Sequence, residues 1–179
     1  MTRHREQTLS PDWDSLRTLP NRGTHNCFGC GPGNAIGLRM EFRTDGRSVF
    51  SCLTVPPRLC GWGNLVHGGI LSTILDEIMS WAAMVFSGKF ILTKTMNIEF
   101  LQTAQIGRPL LAVGVPLEFA GKRGLRVQGW IQTEEKRICA RSTGEFAILE
   151  PNLARKLGAM DDAAWEAFRP LLQPSPLDP

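Results

Sequence analysis

Asp76 and Glu77 carry the chemistry that most needs an explanation, because they interrupt a long apolar run from Gly68 to Phe86. After Gly69 that run holds neither proline nor glycine, and its residue types tolerate a helix. At 100° per residue, Ser72, Thr73, Asp76, Glu77 and Ser80 fall on one polar arc of roughly 140°. The rest of the circumference is apolar, so the helix predicted over His67–Phe86 is buried on nearly all sides. An acid inside such a helix is costly unless it has work to do, and acid–base or nucleophilic work is what a carboxylate offers. His67-Gly68-Gly69 opens the same helix. Its glycines admit backbone or ligand close to free N–H groups and to the positive end of the helix dipole, where an anionic oxygen is favoured.

The elements that must hold these residues read as follows. Asn26–Leu38 is dense in glycine and is predicted as loop, after an N-terminal extension over residues 1–25 with a helical turn near Asp12–Arg17. Leu38, Met40 and Phe42 alternate, Asp45-Gly46 offers a turn, and Val49–Val55 alternates again, which makes a hairpin. Ser87-Gly88 stops the helix. Phe90, Leu92, Met96, Ile98 and Phe100 then define one strand face and Thr93, Thr95, Asn97 and Glu99 the other, with Lys94 interrupting the apolar side. Leu110–Phe119, Leu125–Thr133 and Ile138–Leu149 are three further strands. Pro151 closes the sheet, Asp161–Leu172 is a short helix, and Pro174–Pro179 is a tail. A single helix cannot cover both faces of a parallel sheet, and the short turns demand antiparallel pairing. The expected fold is α+β: a curved antiparallel sheet wrapped around one long central helix.

Composition sets the outer bounds. The 179 residues, 42% hydrophobic and 21% charged, suit one globular domain. A net charge of +3 without a basic block gives no argument for nucleic acid. Met1–Ser10 has no apolar core of a secretory signal. The acids at the middle of the central helix argue against a membrane span. The expectation is a cytoplasmic protein. Five cysteines (Cys27, Cys30, Cys52, Cys60 and Cys139) in such a chain argue against a disulfide framework. Cys27 and Cys30 form a lone C-x-x-C; a structural zinc site would need to recruit His25 with Cys52 or Cys60, and reduced structural thiols are the expected reading. No metal site is expected.

With these elements in place, the chain resembles hot-dog fold acyl-CoA thioesterases of the phenylacetate-degradation type. The resemblance rests on His67-Gly68-Gly69, on Asp76 nine positions after that histidine, and on Leu92-Thr93-Lys94-Thr95-Met96-Asn97-Ile98-Glu99-Phe100. The Cys27-Phe28-Gly29-Cys30-Gly31…Asn34…Gly37-Leu38 segment is similar to a lead-in of many such proteins. The resemblance covers residues 26–150, leaving 151–179 as a C-terminal helix and tail. It implies a hot-dog domain that hydrolyses an acyl- or aryl-CoA to free acid and coenzyme A, with no metal or redox cofactor.

The resemblance also implies roles. Asp76 activates water or attacks the carbonyl carbon directly, the N–H groups of Gly68 and Gly69 hold the thioester oxygen, and Thr93 orients the water. His67 and Asn64 position the glycine turn or the acyl group, and Glu77, Thr95 and Asn97 are candidates for contact with substrate. Many relatives carry an amide side chain where this chain has Gly61, and Asn64 is the substitute at a different offset. The site is shared between subunits, which implies a homodimer or a tetramer built of two dimers.

Plainer readings stand beside these. A histidine at a helix start is often a cap, a threonine in a strand is often only a β-former, and Glu77 is either a second acid or a solvated or interface residue. Lys122, Arg123, Arg126, Lys136 and Arg137 are candidates for the phosphates of coenzyme A or serve solubility. Three functions fit the pattern: a thioesterase, a non-catalytic acyl-CoA binding or sensor module, and a dehydratase or hydratase. The last pairs an acid with a histidine placed differently, and all three histidines here (His4, His25 and His67) precede the helix.

Overall fold

The computed structural model describes residues 10–21, 25–158, 166 and 168–172. Helix α1 spans Gly68–Ser87, starting and stopping within one residue of the positions expected. His67 is its N-cap. Gly88 ends it in the left-handed region (φ 62°) and donates its N–H to Met84 O at 2.9 Å, a backbone state that glycine adopts without a Cβ penalty.

Seven antiparallel strands surround the helix: β1 (Arg17–Thr18), β2 (Arg43–Thr44), β3 (Val49–Thr54), β4 (Phe90–Phe100), β5 (Pro109–Phe119), β6 (Gly124–Thr133) and β7 (Ile138–Leu149). Their spatial order is β1-β2-β3-β5-β6-β7-β4, one curved sheet with α1 in its concave face. Ile74, Leu75, Ile78, Met79, Ala82 and Ala83 have no exposed surface, as the apolar circumference required. The helix lies so close to the sheet that a Cβ on Gly114 of β5 would sit 2.5 Å from the carbonyl oxygen of Ile78. By length and composition α1 could cross a membrane, yet 61% of its most apolar window is packed inside the domain.

Several elements depart from expectation. The first hairpin strand is only two residues long. Met40 and Phe42 are buried as their alternation suggested, but Arg39, at φ 53°, breaks the extended run before them. In place of a helical turn near Asp12–Arg17, residues 13–15 form a turn and β1 pairs with β2 at the sheet edge. Leu16 and Trp13 of that segment cover Phe50, Val113 and Trp130 on a second apolar cluster. Pro151 does more than close the sheet, since it starts helix α2 (Pro151–Lys156), where a proline's missing N–H costs nothing. Of the helix expected over Asp161–Leu172, residues 161–165 and 167 lie outside the described residues, as does the tail from 173; Arg169–Leu171 forms a 3-10 turn.

The most consequential departure is in β4. Its pairing with β7 slips between Thr93 and Thr95, so Lys94 is the extra residue of a β-bulge. A bulge reverses the alternation. Ile91 packs into the core with Met96 and Ile98, whereas Leu92 is 44% exposed. Thr93 therefore shares the inner face, and the sequence assignment of Thr93 to the face of Thr95, Asn97 and Glu99 is corrected. Lys94 does not interrupt the apolar face; it marks where the phase changes.

Candidate active site

The bulge delivers Thr93 to the helix. Its Oγ1 donates a 2.7 Å hydrogen bond to Asp76 Oδ1. Asp76 Oδ2 has no hydrogen-bond partner among the described residues. Burial pushes the Asp76 carboxyl above its ordinary value, the Thr93 hydroxyl pulls it partly back, and negative charge on Cys27 raises it again. One oxygen is thus fixed while the other is left to exchange a proton.

At the helix start, His67 Nδ1 accepts the Gly69 N–H at 2.9 Å, which makes the imidazole an N-cap with Nδ1 unprotonated. Ile70 N–H goes to His67 O at 2.9 Å. The Gly68 N–H belongs to the first turn, whose donors have no acceptor within the helix. A Cβ on Gly68 would lie 3.7 Å from the Phe100 ring, so the end of β4 flanks this donor. At Gly61 a Cβ would stand 3.2 Å from His67 Cα, so the capping residue packs closely over this position. Asn64 is exposed on the preceding loop, its carbonyl accepting Ile106 N–H at 3.0 Å.

Eight residues separate Gly68 from Asp76, a rise of roughly 12 Å. A nucleophile and an oxyanion donor serving one carbonyl each stand about 3 Å from it. Within one chain, Asp76 and Gly68 cannot serve the same thioester.

Glu77 points elsewhere. Cys27 Sγ lies 3.1 Å from Glu77 Oε1, and Cys27, Cys30 and Glu77 bring their ligand atoms within 4.8 Å of one another. Burial, then the charge on Cys27, push the Glu77 carboxyl up to about 8. Hydrogen bonding by the Cys30 side chain, the largest cause, and by the N–H groups of Cys30 and Gly29 holds the Cys27 thiol down at about 4. Cys30 moves the opposite way, raised by its bond to Cys27 and by burial.

Of the residues singled out from sequence, the fold thus joins Asp76 to Thr93 and His67 to Gly69. It sets Thr95 and Asn97 on the opposite face of β4 from the helix, opposite Glu145 and Thr143 of β7. Arg126 and Arg137 are engaged by Glu118 (2.8 Å) and Glu135 (3.7 Å). Phe100 beside Gly68 and the approach of Glu77 to Cys27 and Cys30 were not anticipated. The latter closes over fifty residues and leaves no local pattern, although the C-x-x-C spacing was its one visible sign.

Residues 63–140 match the family model of the thioesterase superfamily. No curated protein sequence matches the chain. Among solved structures, a thioesterase superfamily protein, RHA08564, is similar at 25% identity with a TM-score of 0.62, over 71% of this chain and 66% of its own length. The Escherichia coli PaaI protein from the phenylacetic acid degradation operon is similar at 18% identity and TM-score 0.57, over 63% and 81%. The smu.793 protein of Streptococcus mutans UA159, solved bound to acetyl CoA, is similar at 19% identity and TM-score 0.56, over 62% and 88%. The fold of these structures is the one described above. The matched residues 63–140 span the glycine turn, the acid helix and most of the sheet, and the chain has the hot-dog fold of these thioesterase structures.

Proposed function

We propose that the protein is an acyl-CoA thioesterase in which Asp76 activates the hydrolytic water. The observation that carries this reading is the Asp76–Thr93 pair. A half-buried carboxylate has one oxygen tied to a hydroxyl at 2.7 Å, the other without a partner among the described residues, and a proton affinity raised by its surroundings. Water on the free Oδ2 loses its proton to Asp76 as it attacks the carbonyl carbon of the thioester. The oxyanion that forms is held by the Gly68 N–H and by the Gly69 N–H once His67 releases it. Collapse breaks the C–S bond, the proton held by Asp76 passes to the departing sulfur so that coenzyme A leaves as the thiol, and the acid product carries the water oxygen.

The roughly 12 Å between Asp76 and Gly68 on one helix supports a site built from two chains, with Asp76 of one protomer facing the glycine turn of the other. The long edge strand β4, with Leu92 and Phe100 exposed, supplies a surface for such a dimer. A solved neighbour bound to acetyl CoA supports coenzyme A esters as the substrate class. The test is release of free thiol from a panel of acyl- and aryl-CoA esters by wild type and Asp76→Asn. Turnover in wild type that falls by about 100-fold or more in the variant supports the reading. Saturable acyl-CoA binding without turnover in either protein overturns it in favour of a binding module.

A further inference from the structure

We propose that Cys27, Cys30 and Glu77 form a binding site for a thiophilic divalent cation of the zinc class, which clips the 26–38 loop to helix α1. The three ligand atoms lie within 4.8 Å of one another. Ligands around tetrahedral zinc, at about 2.3 Å for sulfur and about 2.0–2.2 Å for oxygen, stand roughly 3.5 Å apart. Only small side-chain rotations separate the observed cluster from that geometry.

The backbone is shaped for this meeting. Gly31 donates its N–H to Cys27 O at 2.9 Å, closing a tight turn around the two cysteines. A Cβ at residue 29 would collide with Glu77 Cγ, and one at residue 31 would stand 2.5 Å from Cys27 N. Both glycines are thus required, the first so that a carboxylate from α1 can reach the sulfurs. A second layer fixes the turn: Asn21 Nδ2 donates to Cys30 O at 2.7 Å, and His25 Nε2 is hydrogen-bonded to Asn21 Oδ1 at 2.9 Å.

Charge points the same way. Cys30 is 4% exposed, Cys27 and Glu77 are half-buried, and no Lys or Arg pairs with Glu77 among the described residues. Two thiols and a carboxyl gathered this closely repel one another as anions, and a divalent cation neutralises them. A redox dithiol has no need of the carboxylate that Gly29 admits. Two sulfurs with one oxygen select zinc over magnesium or calcium. The ligands that the sequence suggested do not join: Cys52 and Cys60 are exposed, Cys52 on β3 and Cys60 bridged to Val66, while His25 is occupied with Asn21. Three protein ligands leave the fourth position to water.

The test titrates chelator-stripped, reduced full-length chain with Zn2+ alone and with Co2+ alone. The expected result is one equivalent bound, with micromolar or tighter affinity, a thiolate-to-cobalt charge-transfer band and a raised melting temperature. Cys27→Ser and Cys30→Ser each weaken binding by about 100-fold or more, Glu77→Gln by about 10-fold or more, and Cys52→Ser leaves it unchanged. The cobalt band in wild type counts the thiolates directly, so the outcome does not depend on how well the serine variants fold. Absence of saturable binding, a cobalt spectrum without thiolate character, or retention of the metal in Cys27→Ser overturns the proposal. So does a Cys27–Cys30 disulfide that survives reduction and excludes the ion.

Discussion

Thr93 reaches Asp76 because one residue, Lys94, is squeezed out of the β4–β7 ladder. Without that bulge the alternation would turn the Thr93 hydroxyl away from the helix, and the acid would lose its only protein hydrogen bond among the described residues. Thr93→Val is therefore expected to lower kcat by about 10-fold with KM little changed, since a positioning hydrogen bond is worth roughly 1.4 kcal/mol. Thr93→Ser keeps the hydroxyl and retains most of the rate. Steady-state kinetics on the preferred ester decides it; a KM effect in place of a kcat effect contradicts the role.

His67 acts on the fold as a cap. His67→Ala leaves the Gly69 N–H without its acceptor and is expected to cost about 1 kcal/mol. His67→Asn restores a side-chain acceptor and recovers most of that loss. Urea denaturation midpoints of the three proteins check the order; equal midpoints contradict the capping role.

Cys139 offers a pH test independent of the site. It has no exposed surface, and burial pushes its thiol up to about 11. The unfolded chain releases that proton near the ordinary thiol value, so the folded chain binds more protons at alkaline pH. The associated stability is whole below about pH 8.5 and is lost as pH rises toward 11, in total on the order of 3 kcal/mol. Cys139→Ala carries a constant packing cost but a shallower alkaline decline. Denaturation of both proteins between pH 8 and 10.5 measures the difference in slope, and parallel curves contradict it.

Much of this was legible in the residues, for physical reasons that also explain what was not. The central helix announces itself through composition, a capping histidine and a C-terminal glycine, all local signals. The strands from Leu110 onward are marked off by short turns. The phase of β4 was misread because a bulge is an insertion relative to a neighbouring strand, and nothing within residues 90–100 shows the neighbour. Two-residue strands such as β1 are too short to have a period. Asp76 stood out as a charge within an apolar helix, whereas Glu77, one position away, read as a second acid or a solvated or interface residue, and nothing local showed that the loop carrying Cys27 and Cys30 folds against it.

The proposed division of the site between two chains is tested most directly with mixed dimers. Gly68 is the first helical position, and the residue before it has φ −63° and ψ 138°, so Gly68→Pro removes an N–H where proline fits the backbone. Asp76→Asn and Gly68→Pro are each expected to be inactive alone. Unfolded together and refolded at equal concentrations, they form mixed dimers with one site built from unaltered Asp76 and unaltered Gly68, and thioesterase activity returns to about a quarter of wild type. Mixed dimers that form yet hydrolyse no acyl-CoA would contradict a site assembled from Asp76 of one protomer and the glycine turn of its partner.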